Sequence, residues 1–338
     1  MQTMQNFNRR DFLKKTTALT GMALLGNSAL LPLAQAQDDA RARASQFTPV
    51  GGETPVEHLT GYIVDNHQIW FRRANTALTS YRAHVTQKYP YFFPVAGPKT
   101  GLSLTSETGL PWPHHRSLFF GCDRVNGGNY WQSHIGTGQI VSQGVKLGNI
   151  DETSGEMTDL CLWSKPGEDP IIKDTRKFNI QLLENGNYYL DCYFHLEMLT
   201  DVTFEKTNHA LFAVRCAQDI SVHGGGTLLN SEGQTTEKDT LGKPARWCTF
   251  FGKRAGFTPD TVEGIAMLLH KDVPHPAFKD CPWFTRDYGN YSPMPHLWFE
   301  EPLKMGKGET LEFKYRVVAY AGTPKDADLD GLWENFNQ

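Results

Sequence analysis

The 338-residue sequence lacks the features that mark the commonest function classes. It has no surplus of cations: 33 Lys and Arg against 37 Asp and Glu give a formal net charge of −4. Nothing is therefore spare to neutralise phosphates, and nucleic-acid partners are excluded. The six cysteines, at 122, 161, 192, 216, 248 and 281, include no C-x-x-C pair, so metal-type cysteine spacing is missing. Cys161, Cys192, Cys216 and Cys248 fall inside apolar runs, where cysteine behaves as a small hydrophobe, and at most one disulfide is expected. There is no P-loop, no G-x-G-x-x-G and no H-E-x-x-H. His223-Gly-Gly-Gly226 has the look of an oxyanion loop, but no G-x-S-x-G elbow exists for it to serve, which leaves a glycine turn. Asp326-x-Asp328-x-Asp330-Gly331 opens like a calcium loop, yet its twelfth position is Asn337, where a bidentate Glu is required. Beyond residue 36 no apolar run approaches membrane-spanning length.

Residues 1–36 are different. Asn8-Arg9-Arg10-Asp11-Phe12-Leu13-Lys14 precedes an apolar stretch from Ala18 to Ala34, which closes on Ala34-Gln35-Ala36. A charged start, a short apolar middle and a small-x-small end describe a secretory leader. The paired arginines resemble the twin-arginine type, with Asn8 where Ser or Thr is usual. Arg9, Arg10, Lys14 and Lys15 against Asp11 alone give this segment a charge of +3 and leave −7 on the remainder. The expectation is export by the twin-arginine machinery, cleavage after Ala36, and a periplasmic or secreted protein with no membrane attachment afterwards.

Residues 37–60 read as a polar linker and 61–322 as a single β domain. Short apolar or alternating runs follow one another, separated by Gly, Pro, Asn and Asp, the pattern of an all-β sandwich or barrel. Lys177–Glu184 and Tyr188–Leu199 flank Asn185-Gly186, a strong hairpin signal. Within the second run Tyr188, Leu190, Cys192, Phe194, Leu196 and Met198 alternate with polar residues, as do Leu311, Phe313, Tyr315 and Val317 near the end. Such a period of two marks a strand with one buried face. Only 323–338 looks helical, with Pro324 in a first turn and Leu329, Leu332, Trp333 and Phe336 on one stripe.

Three segments carry side chains suited to chemistry. In Trp112-Pro113-His114-His115-Arg116 adjacent histidines in a strand would face opposite ways, one reaching a pocket and the other supporting it; a turn with hydrogen-bonded structural histidines would read the same. Histidine serves as acid, base or metal ligand near neutral pH, and arginine clamps carboxylates or stacks beneath rings. His209 and Arg215 share one strand face if that strand is regular. In Trp283-Phe284-Thr285-Arg286-Asp287-Tyr288-Gly289, preceded by His270 and His275, Asp287 and Tyr288 offer an acid/base pair. A Pro-rich corner packed by its own aromatics would carry the same residues. The polar face Asp191, Tyr193, His195 and Glu197 is equally compatible with the solvated side of a sheet.

Taken in order, these segments resemble a bacterial family of unknown function carried under the label "methane oxygenase PmoA". The family's His-Pro-His-His-Arg-Gly motif reads here Trp112-Pro113-His114-His115-Arg116-Ser117, followed by Asp123-Arg124-Val125-Asn126-Gly127. Lys206-Thr207-Asn208-His209 to Arg215, Asn230-Ser231-Glu232-Gly233, Leu241-Gly242-Lys243 with Trp247, and Trp283 to Gly289 match later family elements. Leu241 stands where the family has Trp, Phe284 where it has His, and the region from His270 to Pro276 also departs. The chemistry in the label is not expected, because a membrane monooxygenase subunit needs several spanning helices. The resemblance implies a large antiparallel β-sandwich, the galactose-mutarotase-like supersandwich being one form, with an association with sugars.

The expectation is thus an exported carbohydrate-active protein, with His114 or His115 as acid/base and Asp287 or Tyr288 as partner. Arg116 and Arg286 would hold the substrate, Trp112, Trp247 or Trp283 would stack on a ring, and His209, Arg215 and His275 would contribute to binding. Epimerisation, β-elimination and glycoside cleavage all remain open. The alternatives are a non-catalytic sugar-binding protein and a metal site from His114, His115, His270 or His275. No cofactor is expected, since no metal-ligand spacing stands out.

Overall fold

Period-two patterning becomes two large antiparallel sheets in a computed structural model that describes residues 58–338 apart from 75, 133 and 258. The expected leader and nearly all of the expected linker lie outside the described residues. The first strand, Leu59–Asp65, starts inside the expected linker and forms a hairpin with Gln68–Arg73.

Sheet one runs, in spatial order, through Leu59–Asp65, Gln68–Arg73, Thr76–Arg82, Tyr91–Val95 and Leu118–Val125. It continues with Ala210–Arg215, Asn290–Pro293 and the edge strand Trp283–Arg286. Sheet two is built around Ile172–Leu182, Tyr188–Met198, Thr310–Ala321 and Val262–Leu269. The expected hairpin forms with Ile172 opposite Met198 and Leu182 opposite Tyr188. Gly186 takes a φ of +87° in its loop, a conformation that favours glycine.

The core lies between the sheets. Phe120 of sheet one stacks on Phe194 of sheet two with ring centroids 4.1 Å apart, and Phe212 meets Tyr315 at 5.0 Å. The inner face of Ile172–Leu182 also carries Asp174 and Arg176. They survive burial because Arg176 donates to Asp174 at 2.6 and 2.9 Å and Trp163 Nε1 donates to it at 3.1 Å. The outer face of Tyr188–Met198 is a surface of cross-strand pairs: Asp191 with Arg316, His195 with Glu312, Glu197 with Lys173.

The C-terminal helix spans Leu329–Phe336, and Pro324 lies in the turn before it rather than in its first turn. Asp328 caps the helix by accepting from Gly331 N at 3.2 Å, and Asp330 binds Arg246 and Trp247. The acidic run thus fixes the helix rather than a calcium ion. All six cysteines are free. Among the described residues no helix is long and apolar enough to cross a membrane.

Candidate functional site

Leu118–Val125 places Phe120 in the inter-sheet core, so by alternation Phe119 faces the outer side of sheet one. There it packs against Tyr89, Trp131 and His115, at centroid distances of 5.0, 4.6 and 6.2 Å. The segment before this strand folds back over that outer face. His115 N donates to Trp112 O at 3.1 Å, closing a turn, the second of the two conformations the sequence allows here. Strand alternation therefore does not apply, and the two histidine rings come together edge to face at 4.6 Å. His209, which leads into Ala210–Arg215, joins them with its ring 5.7 Å from His114.

The edge hairpin supplies the other wall. Its turn brings Tyr288 parallel to His115 at 6.2 Å, and Arg215 from the neighbouring strand lies over the Tyr288 ring at 4.5 Å. Gly289 permits this: its φ is +98°, and a Cβ there would stand 2.4 Å from Cys216 Sγ. Gly109 is required for a similar reason, since a Cβ would come within 2.7 Å of Arg215 Nε.

Together these residues enclose a cavity of about 210 Å³. Trp112, Phe284 and Tyr288 give it aromatic walls; His115, His209, Gln132, Asn208 and Arg286 give it polar ones. His209 Nδ1 is 3.1 Å from Asp123 Oδ2, and Asp123 is also hydrogen-bonded by the Thr207 hydroxyl. With Nδ1 donating to that carboxylate, Nε2 is the ring nitrogen left to accept. Burial pushes His115 down to about 2, helped by His114, Arg215 and His209, so its imidazole is neutral. Burial likewise lowers His114 to about 4, with His209 adding to the shift and Asp123 opposing it. The Tyr288 phenol is raised by burial against the pull of Arg215 and Arg286, so it keeps its proton at neutral pH.

Unpartnered buried polar atoms collect here. Among the described residues, His115 Nδ1, His114 Nε2, Trp131 Nε1 and the Nε and Nη1 of Arg215 have no hydrogen-bond partner, although Arg215 is only 3% exposed. Its Nη2 donates to Leu110 O at 3.2 Å. Burial lowers the Arg215 guanidinium pKa, the cost of a buried cation with no counter-ion among the described residues.

The three sequence segments converge only in part. Trp112, His115, His209, Arg286 and Tyr288 line the cavity, while His114 and Arg215 support it from behind. Arg116 turns away to Gln87 and Tyr91 and lines a separate polar cavity of about 280 Å³. The Asp287 carboxylate accepts from Glu237 N at 2.7 Å, at the start of the short helix Thr236–Thr240. It is thus engaged with that helix rather than paired with a catalytic histidine.

Trp283 is fully buried and donates to Ala245 O, and Trp247 is buried and donates to Asp330, so neither presents a stacking face. His275 caps the turn Pro276–Phe278, and His270 contacts Asp272 and Phe336. The histidine set considered for a metal is not assembled. Among the described residues no three His, Cys, Asp or Glu are grouped to hold one.

Asp123, Asn208, Gln132 and Trp131 were not among the sequence candidates. Asp123 and Asn208 did fall inside the segments that carry the family resemblance, but nothing in the sequence marked them as site residues. The pairing of Asp123 with a histidine 86 positions away is set by strand adjacency.

No curated protein matches this chain. Solved structures similar to it include a 4-alpha-glucanotransferase from Thermococcus litoralis and a protein described as a kojibiose phosphorylase from the human microbiome. The first has a TM-score of 0.31 and 9% identity, covering 79% of this chain and 39% of that one. The second has a TM-score of 0.34 and 11% identity, covering 84% and 37%. The chain thus spans under two fifths of the length of either, and at such TM-scores the likeness assigns no activity. Nothing found points to methane monooxygenase. A family model described as a family of unknown function, DUF6807, matches residues 68–334, and the chain belongs to that family.

Proposed function

We propose that this is an exported carbohydrate-active enzyme that moves protons on a single sugar unit held in the cavity between Trp112, His209 and Tyr288. The observation that carries this reading is the His209–Asp123 pair opening onto a small cavity with aromatic and amide walls. At about 210 Å³ the cavity is smaller than the roughly 300–1,000 Å³ of drug-sized sites. Trp112, 45% exposed, is free to stack on a ring, while Asn208, Gln132 and Arg286 suit hydroxyls.

His209 Nε2 takes a proton from the bound sugar, and its imidazolium is stabilised by Asp123. Tyr288, which keeps its proton, donates to the opposite side, with Arg215 beneath the ring easing the charge that develops on the phenol oxygen. Neutral His115 orients the substrate by hydrogen bonding. Among the described residues no carboxylate lines the cavity, and glycoside cleavage ordinarily needs two. Proton-transfer reactions such as epimerisation, anomer interconversion or elimination therefore fit better.

The test is proton NMR of free aldoses and uronates incubated with the purified protein in D2O, followed by the same assay on His209→Ala. Solvent-dependent exchange or accelerated interconversion, lost on the order of 10²–10⁴-fold in the variant, is expected. Sugar binding by calorimetry without any conversion would overturn the catalytic reading in favour of a binding protein. Export is tested by N-terminal sequencing of the protein from a periplasmic fraction, where a chain beginning at Gln37 is expected.

A further inference from the structure

A third cavity, of about 840 Å³, lies where Thr310–Ala321 and Val262–Leu269 meet the C-terminal helix. Leu269, Pro293, Phe278, Phe313, Tyr315 and Trp333 form its apolar surface. The helix wall is fixed: Trp333 Nε1 donates to Leu269 O at 2.7 Å, and the Asn337 side chain accepts from Lys271 N. Around this surface stand Lys243, Arg246, Lys271, Lys279 and Lys314. Glu232, Asp272 and Asp280 are the acidic lining residues, and with Arg246 paired to Asp330 outside the lining the cations exceed carboxylates by one in a chain whose overall charge is negative.

Three of those cations are committed. Lys314 pairs with Asp272 at 3.0 Å, Arg246 pairs with Asp330 at 3.0 Å while lying over Trp333, and Lys271 donates to the Asn337 carbonyl. Lys243 and Lys279 are exposed and have no ion-pair partner among the described residues. A roomy apolar pocket rimmed by uncommitted ammonium groups complements one kind of ligand, an apolar body carrying an anionic head. The volume falls in the roughly 300–1,000 Å³ range of small-molecule sites.

We infer that this cavity binds an amphipathic organic anion, such as an aromatic or medium-chain carboxylate, with the head group held by Lys243 and Lys279. The site is separate from the His209 cavity and does not depend on the reading given to that cavity.

The probe is 8-anilinonaphthalene-1-sulfonate, followed by fluorescence on the purified protein, with near-UV circular dichroism showing that each variant keeps native packing. Saturable binding to one site is expected, displaced by decanoate but not by decyltrimethylammonium. The double charge reversal Lys243→Glu with Lys279→Glu should weaken it at least tenfold, and Lys243→Gln with Lys279→Gln by less. His209→Ala should leave it unchanged. Absent saturable binding, equal displacement by the cationic competitor, or indifference to the charge reversals in a natively packed protein would each overturn the inference.

Discussion

His209 and Asp123 lie on adjacent strand ends, linked twice: Asp123 N donates to His209 O at 2.9 Å, and their side chains meet at 3.1 Å. The backbone bond sets the distance at which the carboxylate can orient the imidazole. A Thr207 hydroxyl on the other carboxylate oxygen stops Asp123 from rotating away. Asp123 is 5% exposed, which keeps water from competing for the pair.

Asp123→Asn tests whether the charge matters. The amide preserves shape but no longer stabilises an imidazolium, so conversion should fall on the order of 10²–10⁴-fold with little change in sugar affinity. Equal losses in affinity and turnover would show that Asp123 acts only through the shape of the site.

The tryptophans should separate by role. Trp112→Ala should alter stability by no more than about 0.5 kcal/mol while weakening sugar binding, because the ring is 45% exposed at the cavity. Trp283→Ala, which empties a fully buried site, should cost about 3–5 kcal/mol in urea unfolding.

Acid should destabilise the protein through histidines held neutral. His114, His115 and His296 lie at about 4, 2 and 3 in the folded state, burial being the leading cause for each, against 6.5 when unfolded. Between those values the unfolded chain binds more protons. The stabilisation is therefore complete above pH 6.5 and is lost as pH falls toward the folded values, each histidine adding a slope of up to about 1.4 kcal/mol per pH unit. Urea midpoints measured from pH 7.5 to 5 should fall with pH. The slope should flatten by about one proton in His296→Phe, and an unchanged slope would contradict it.

Arg215→Met should separate stability from function. The guanidinium is buried with two nitrogens unpartnered, so an apolar residue of similar length should hold or raise the melting temperature. The same change removes the cation beneath Tyr288, and turnover should drop at least tenfold. A large fall in melting temperature would make Arg215 a structural pin instead.

Periodicity carried the fold. The inner residues of Tyr188–Met198 and Thr310–Ala321 are where alternation puts them, because an extended chain with one dry face leaves no other assignment. Strands with broken alternation were harder to see: Thr76–Arg82 and Tyr91–Val95 were not anticipated, the second carrying Pro94. The site was legible as a set of segments but not as a set of side chains. For His114 and His115 the sequence allows a strand with the rings facing apart or a turn, and the structure takes the turn, which brings both rings together. Arg116 and Asp287 have suitable chemistry, yet their side chains leave for Gln87 and for the helix at Glu237.

By itself the sequence determined the class of architecture, the terminal helix, the absence of cysteine metal motifs and the segments in which unusual side chains gather. These follow from local rules of period, turn chemistry and spacing, which act over a few residues. Which of those side chains share a cavity was decided only by tertiary structure. Asp123 reaches His209 because their strands are neighbours, Tyr288 reaches Arg215 because an edge hairpin folds beside it, and Trp247 and Trp283 are consumed by the core. Such pairings join residues separated by dozens of positions, and strand order, not local pattern, sets them.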